Sequence, residues 1–363
     1  MRLFSLTFVI SIFYLFAINC TTSYHFPRKE VSSVVLSKNF HVIAHRGSRE
    51  FAPENTMTAF RMAAKLGAGF ELDTMQCKTG ELVVIHDTSI DRTTNGKGNI
   101  SELTLSEIKS LDAGSFFIPM MKENLKKWPL EEIKNAGKNG LIFSKKFKGN
   151  IEKLSREELL SLDESNFLYS EFKNEKIPTL DEVLDEFGGK TIVDIEIKST
   201  SLGNEAVKLG TLVANLITKK KLTDKVFVTS FSPKVLVGVK EGNKEILQGQ
   251  LYSNFDHPEI PIIVKIYGKL FLRSLSFNDI AKPDLLAMGK EMITPEYVKE
   301  MKGYGYKLFP WTVNDRSEME KLIALGVDGL ISDRPDLVIE EFNKQNKVSL
   351  KKELTLNTLK NKE

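Results

Sequence analysis

The apolar positions of this chain fall in short β-branched runs separated by stretches of helical period. The runs FHVIA (40–44), GFELD (69–73), ELVVIH (81–86), KTIVDIEIK (190–198), KVFVTSF (225–231), EILQGQLY (245–252), PDLLAM (283–288), YKLFPWTV (306–313) and DGLISD (328–333) read as strands. Amphipathic patterns over 56–66, 204–219, 233–241, 295–302 and 317–325 lie between several of them and read as helices. Strands alternating with helices, without a nucleotide-binding glycine fingerprint, predict an α/β fold of the (β/α)8 TIM-type barrel kind rather than a doubly wound sheet. Nine candidate strands exceed the eight of such a barrel, so at least one is an accessory strand or not a strand at all.

The rhythm covers 38–343 and breaks over 117–167, which reads as an insertion in one βα connection. The insertion contains an internal echo. KGNISELTLSEIKSLDAGSF (97–116) and KGNIEKLSREELLSLDESNF (148–167) match at ten of twenty positions with an offset of 51. Two capped helices would look alike by chance, because Thr104-Leu-Ser-Glu107 and Ser155-Arg-Glu-Glu158 both read as capping boxes. The match runs beyond those boxes, which favours a local duplication. Because βα loops line barrel active sites, the inserted segment is expected to form a lid or a wall of the substrate site. At the far end, 344–363 is Lys-rich with sparse apolar residues and reads as a solvated or frayed tail.

Composition changes this picture little. The 363 residues are 41% hydrophobic and 27% charged, as a folded soluble domain requires. Lys+Arg (51) nearly balances Asp+Glu (48), leaving a net charge of +3 that calls for no nucleic-acid partner. The first twenty residues add more. Arg2 precedes an uncharged apolar run from Leu3 to Ile18, too short to span a bilayer comfortably, so it reads as an export signal peptide. The run ends in Ala17-Ile18-Asn19-Cys20, which resembles a relaxed bacterial lipoprotein box with Cys20 as the lipidated residue. The chain is therefore expected to be exported, either periplasmic or anchored to a membrane through Cys20. The other cysteine is Cys77, so a processed monomer has no internal disulfide.

The candidate chemistry sits where strands end. In FELDTMQCKTGELVVIHD (70–87), Thr79-Gly80 reads as a two-residue hairpin turn, whose pairing puts Asp73 opposite His86. Glu71 shares the face of Asp73. Carboxylates this close resist ionising together unless a cation lies between them, and a divalent ion with oxygen ligands, Mg²⁺ or Ca²⁺, meets that need. In KTIVDIEIK, alternation puts Asp194, Glu196 and Lys198 on one face, where Glu196 can complete the ligand set and Lys198 can meet an anion. His45 and Arg46 leave the first strand side by side. Pro53-Glu54-Asn55-Thr56 reads first as a helix start, with Glu54 also able to orient Arg46.

Taken in order, HRGSREFAPENTMTAF, ELDTMQCKTGELVVIHDTSIDRTTNGKG, IPTLDEVL, IEIK, PWTVN and GVDGLISDRPD resemble the glycerophosphodiester phosphodiesterase family. The resemblance runs from about His41 to about Asp336, broken only by 117–167. It implies a phospholipase-C-like (β/α)8 barrel that hydrolyses glycerophosphodiesters to glycerol 3-phosphate and an alcohol. It further implies His45 and His86 as the acid–base pair, Glu71, Asp73 and Glu196 as metal ligands, and Arg46 and Lys198 as phosphate-binding cations. Trp311 is implied as a pocket wall, and Phe231 has the same strand-end placement. The implied roles suit the reaction. Charge grows on the phosphoryl oxygens as the nucleophile arrives, and histidines with ordinary pKa near 6.5 can divide the two proton transfers. Two rival readings are a lysophospholipase-D-like enzyme on the same barrel and a surface-exposed binding lipoprotein with incidental catalysis.

Overall fold

A computed structural model describes residues 36, 40–201, 203–253 and 280–360, with side chains as far as residue 347. The export signal, Cys20, His25 and His257 lie outside the described residues. All nine strand runs form strands: β1 His41–Ala44, β2 Gly69–Gln76, β3 Leu82–Val84, β4 Val193–Ile197, β5 Val226–Ser230, β6 Leu247–Tyr252, β7 Leu285–Met288, β8 Lys307–Leu308 and β9 Gly329–Ser332. Eight are parallel in the order β8-β7-β6-β5-β4-β2-β1-β9. Backbone bonds from Ile331 N to Pro310 O and from Val313 N to Ile331 O, both 3.0 Å, join the two ends into a nearly closed barrel. The accessory strand is β3, which pairs antiparallel with β2.

The inner faces of the strands fill the barrel with Ile43, Phe227, Leu251, Leu285, Phe309 and Ile331. Alternation sends Phe70, Leu72, Ile195, Ile197 and Val228 outward, where they meet the apolar faces of the helices. Burying each such side chain stabilises the fold by about 1.5–3 kcal/mol. The helices that flank the site are α1 Met57–Lys65, capped by Thr56, and α2 Leu105–Ser110, which lies beyond the β2–β3 hairpin.

The hairpin differs from the expectation by one residue. Its register pairs Thr74 with Val84 and Gln76 with Leu82, and the Ile85 amide bonds to Asp73 O at 3.0 Å. Ile85, not His86, therefore lies opposite Asp73. The cause is a three-residue loop, 78–80, closed by Cys77 N to Glu81 O at 2.9 Å, with Gly80 at φ 101°. A loop of this length places a left-handed residue last, which glycine alone takes without strain.

The insertion folds as α3 Phe117–Lys127, α4 Leu130–Lys138 and α5 Arg156–Ser161. Its buried face, including Phe117, Met121, Leu125, Ile133 and Leu159, packs on Phe51, Ala52, Ala59 and Met62 of the first βα unit. The echoed segments fold alike and in register. Short 3₁₀ turns at Ile100–Glu102 and Ile151–Lys153 precede α2 and α5, both with complete capping boxes, and Ile108 and Leu159 are buried at equivalent positions. At the far end, 344–360 of the tail expected to be solvated or frayed continue a helix, Pro335–Lys360.

Four further helices return the chain between barrel strands. They are α6 Leu180–Phe187, α7 Asn204–Lys219, α8 Pro233–Gly242 and α9 Pro295–Gly303. Arg316–Ala324 and the long Pro335–Lys360 follow as α10 and α11.

Candidate active site

Strand register assembles the acidic centre. Parallel pairing of β2 with β4 sets Glu71 beside Asp194 and Asp73 beside Glu196 on the inner face of the barrel. Glu71, Asp73 and Glu196 each offer an oxygen within 4.8 Å of the others, and all three are buried. Asp194 lies one layer deeper and accepts a 2.7 Å bond from Thr229 Oγ1. Burial pushes its carboxyl well up, reinforced by Glu196 and Asp73 and opposed by the bond from Thr229.

The trio is electrostatically uneven. Burial pushes Glu71 up, reinforced by Asp73 and Glu196, and its Oε1 is buried without a hydrogen-bond partner. Burial also raises Glu196, to about 7, against the pull of Lys198. Asp73 is buried too, yet Lys198 and Arg46 hold it down to about 2. Lys198 Nζ lies 2.5 Å from Glu196 and 3.0 Å from Asp73, and Arg46 Nε lies 3.3 Å from Asp73. Asn55 Nδ2 donates to Asp73 Oδ2 at 2.8 Å. Three converging oxygen donors, one of them orphaned and two reluctant to ionise, fit a hard divalent cation such as Mg²⁺ or Ca²⁺.

Arg46 takes φ 52°, a left-handed conformation that carries the chain sharply out of β1. Its amide bonds to Glu71 Oε2 at 2.8 Å and its Nη1 to Glu54 Oε1 at 2.8 Å. Glu54 is thus in contact with Arg46, and it also accepts two 2.8 Å bonds from Arg92. Burial opposes its charge, but Arg92, Arg46 and Arg49 together hold the carboxyl well below its ordinary range.

Each histidine meets a carboxylate through Nδ1. His86 contacts Asp87 at 2.7 Å, and Asp87 is in turn held by Arg92 Nε at 2.6 Å. Burial lowers the His86 pKa, with Lys198 and Arg46 pushing the same way against Asp73. His45 contacts Asp333 at 2.7 Å, and Asn314 Nδ2 donates to the other oxygen of Asp333 at 2.7 Å. Asp333, Asn314, Asp87 and Arg92 escaped the residue-by-residue reading. Each stands inside a quoted motif, but nothing local marks it as a partner of a distant imidazole.

Beside the trio, a cleft of about 610 Å³ is lined by His86, Glu196, Lys198, Phe231, Asn99 and Ser101, among others. Phe231 is 41% exposed and meets Trp311 edge-on at 5.6 Å between ring centres. The structure therefore brings every candidate residue to the C-terminal end of the barrel strands. Among the described residues, the cleft takes its outer wall from 99–101, and none of 117–167 lines it. The apolar face of the insertion packs on α1 and the preceding loop. His41 is buried beside Phe309.

Comparison with known proteins agrees with this geometry. The model of the glycerophosphoryl diester phosphodiesterase family matches residues 45–337. A glycerophosphodiester phosphodiesterase of Caldanaerobacter subterraneus is 34% identical over 314 residues, covering 84% of this chain and 98% of that protein. One from Bacillus subtilis is 30% identical, covering 81% and 84%. An Oleispira antarctica phosphodiesterase, solved with the product sn-glycerol-3-phosphate, shares 25% identity with a TM-score of 0.59, covering 84% and 96%.

Proposed function

The chain belongs to the glycerophosphoryl diester phosphodiesterase family and is a glycerophosphodiester phosphodiesterase, and on that premise we propose a metal-dependent, two-histidine hydrolysis that releases sn-glycerol 3-phosphate and an alcohol. The observation that carries this reading is the convergence of two imidazoles, two cations and three carboxylates at one barrel end. The product named in the Oleispira structure supports the choice of substrate.

Arg46 and Lys198 bind the phosphodiester anion, and the planar fork of Arg46 suits two phosphoryl oxygens. Glu54 and Asp73 fix the direction of Arg46 before substrate arrives, so little reorganisation is left for the reaction. Each imidazole, with Nδ1 engaged by a carboxylate, presents Nε2 to the reacting groups. One takes the proton of the nucleophile, and the other gives a proton to the leaving oxygen. Glu71, Asp73 and Glu196 would hold the divalent ion, Ca²⁺ or Mg²⁺, which supplies charge stabilisation for the phosphoryl oxygens when bound. Phe231 and Trp311 form an apolar edge for the carbon skeleton of the substrate.

Release of glycerol 3-phosphate from glycerophosphocholine, glycerophosphoethanolamine and glycerophosphoglycerol tests the reading. The expected outcome is release by the wild type and a loss of at least about 100-fold in kcat in His86→Ala. Cleavage of lysophosphatidylcholine with no glycerol 3-phosphate from any of the three would favour the lysophospholipase-D-like rival instead. Export and anchoring through Cys20 are proposed from the sequence alone. Cys20→Ala should move the protein from the membrane fraction to the soluble one, and an unchanged distribution would overturn the anchor.

A further inference from the structure

We infer that Asp333, held by Asn314, is a positioning residue that fixes the tautomer and aim of His45. The inference rests on the catalytic reading of His45 given above. It starts from barrel closure. Parallel pairing of β1 with β9 sets Ala44 beside Ser332, and the His45 amide bonds to Ser332 O at 2.9 Å. One step further along both strands, His45 and Asp333 meet, although 288 residues separate them, with Nδ1 and Oδ1 at 2.7 Å. A carboxylate can only accept here, so Nδ1 carries the proton. Neutral His45 therefore keeps its lone pair on Nε2, and protonated His45 donates from Nε2.

The direction of the carboxylate is fixed in turn. Asn314 Nδ2 donates to Asp333 Oδ2 at 2.7 Å, while Asn314 Oδ1 accepts from the Asp333 amide at 2.9 Å and from Ser332 Oγ at 3.2 Å. Ser332 Oγ accepts from the Arg334 amide at 3.0 Å, so its hydroxyl proton is committed to Asn314. A flipped Asn314 would turn its amino group toward two donors. Every hydrogen bond from the backbone to the imidazole thus has one permitted direction. Burial works against the charge on Asp333, but the bond to His45, with Arg49 nearby, holds its carboxyl below the ordinary range.

The contrast with His86 sharpens the assignment. Its partner Asp87 is the next residue in sequence and is clamped by Arg92, which neutralises much of its charge. The closest arginine contact of Asp333 is Arg49 Nε at 3.8 Å, too long for a hydrogen bond. The Asn of PWTVN and the second Asp of GVDGLISDRPD therefore gain a shared purpose at the first histidine of the site.

The test compares wild type, Asp333→Asn and Asn314→Ala in the full chain, by steady-state kinetics and by ¹⁵N NMR of the His45 ring, assigned against His45→Gln. Asp333→Asn should lower kcat about 100-fold or more with KM within about twofold, and should move the ring proton from Nδ1 to Nε2. Asn314→Ala, which keeps the carboxylate but frees its rotation, should lower kcat about 10-fold. Asp333→Asn with kcat within about twofold of wild type, or with the wild-type ring signature, would overturn the assignment. If that variant does not fold, Asn314→Ala decides by the same limits. A wild type that releases no glycerol 3-phosphate would instead sink the functional reading, while the ring signature would still report on Asp333.

Discussion

At the scale of single residues, Glu54 concentrates the electrostatic logic of the site. It is buried, and it binds Arg46 and Arg92 with Arg49 at 3.4 Å, so one carboxylate answers three guanidinium groups. Glu54→Gln keeps the shape and removes the charge, leaving Arg46 without its anchor. We expect a loss of about 3 kcal/mol in urea unfolding at pH 7. Because the folded-state carboxyl is held below its ordinary range, its stabilising contribution is full above about pH 4.5 and is lost as pH falls. Below that pH, wild type should therefore lose stability faster than Glu54→Gln, and parallel acid profiles would contradict the assignment. His45, Arg46, Glu71, Asp73, His86 and Glu196 stood out in the sequence as charged groups inside or at the end of apolar strands, each weak alone, and the family resemblance of the motifs around them implied their roles. Asp333 and Asn314 did not stand out, because a surface Asp and Asn after a strand look ordinary until barrel closure sets them beside β1.

At the scale of elements, the strands were legible because each is a compact β-branched run, and one of the nine proved accessory. Hairpin register was not, since Lys78-Thr79-Gly80 permits two loop lengths and one residue changes every pairing. The packing of α7 against α8 was also invisible in the sequence. A Cβ at Gly210 would lie 2.0 Å from Val235 O, and one at Gly238 would lie 1.9 Å from Val207 O. The two helices therefore touch backbone to backbone at these glycines. Alanine is worth about 1 kcal/mol more than glycine in a helix, but here it must force the pair apart. Gly210→Ala should be net destabilising by about 1–3 kcal/mol by chemical denaturation. A stabilised variant would show that the helices part without cost.

At the scale of the whole molecule, the barrel serves the site by gathering residues from distant parts of the chain. β1 supplies His45 and Arg46, β2 supplies Glu71 and Asp73, β4 supplies Glu196 and Lys198, and the ends of β8 and β9 supply Asn314 and Asp333. The insertion is a second packed unit on the flank of this barrel. Arg334 joins the two, with its guanidinium over the rings of Trp128 and Phe51 and a 2.9 Å bond to Glu132. The sequence announced the insertion as a break in rhythm, yet its placement depended on which helix faces were apolar, and those faces point at α1. Of the two echoed segments, 97–116 contributes to the wall of the cleft and 148–167 to the flanking core.

Turnover depends most on the divalent ion that Glu71, Asp73 and Glu196 are proposed to hold. The direct measurement is glycerol 3-phosphate release by wild type after exhaustive chelation, followed by stepwise addition of Ca²⁺ or Mg²⁺. Release should fall to background and return on addition of the ion, and Glu196→Gln should need a far higher ion concentration for any recovery. Undiminished release from fully chelated enzyme would contradict the metal assignment.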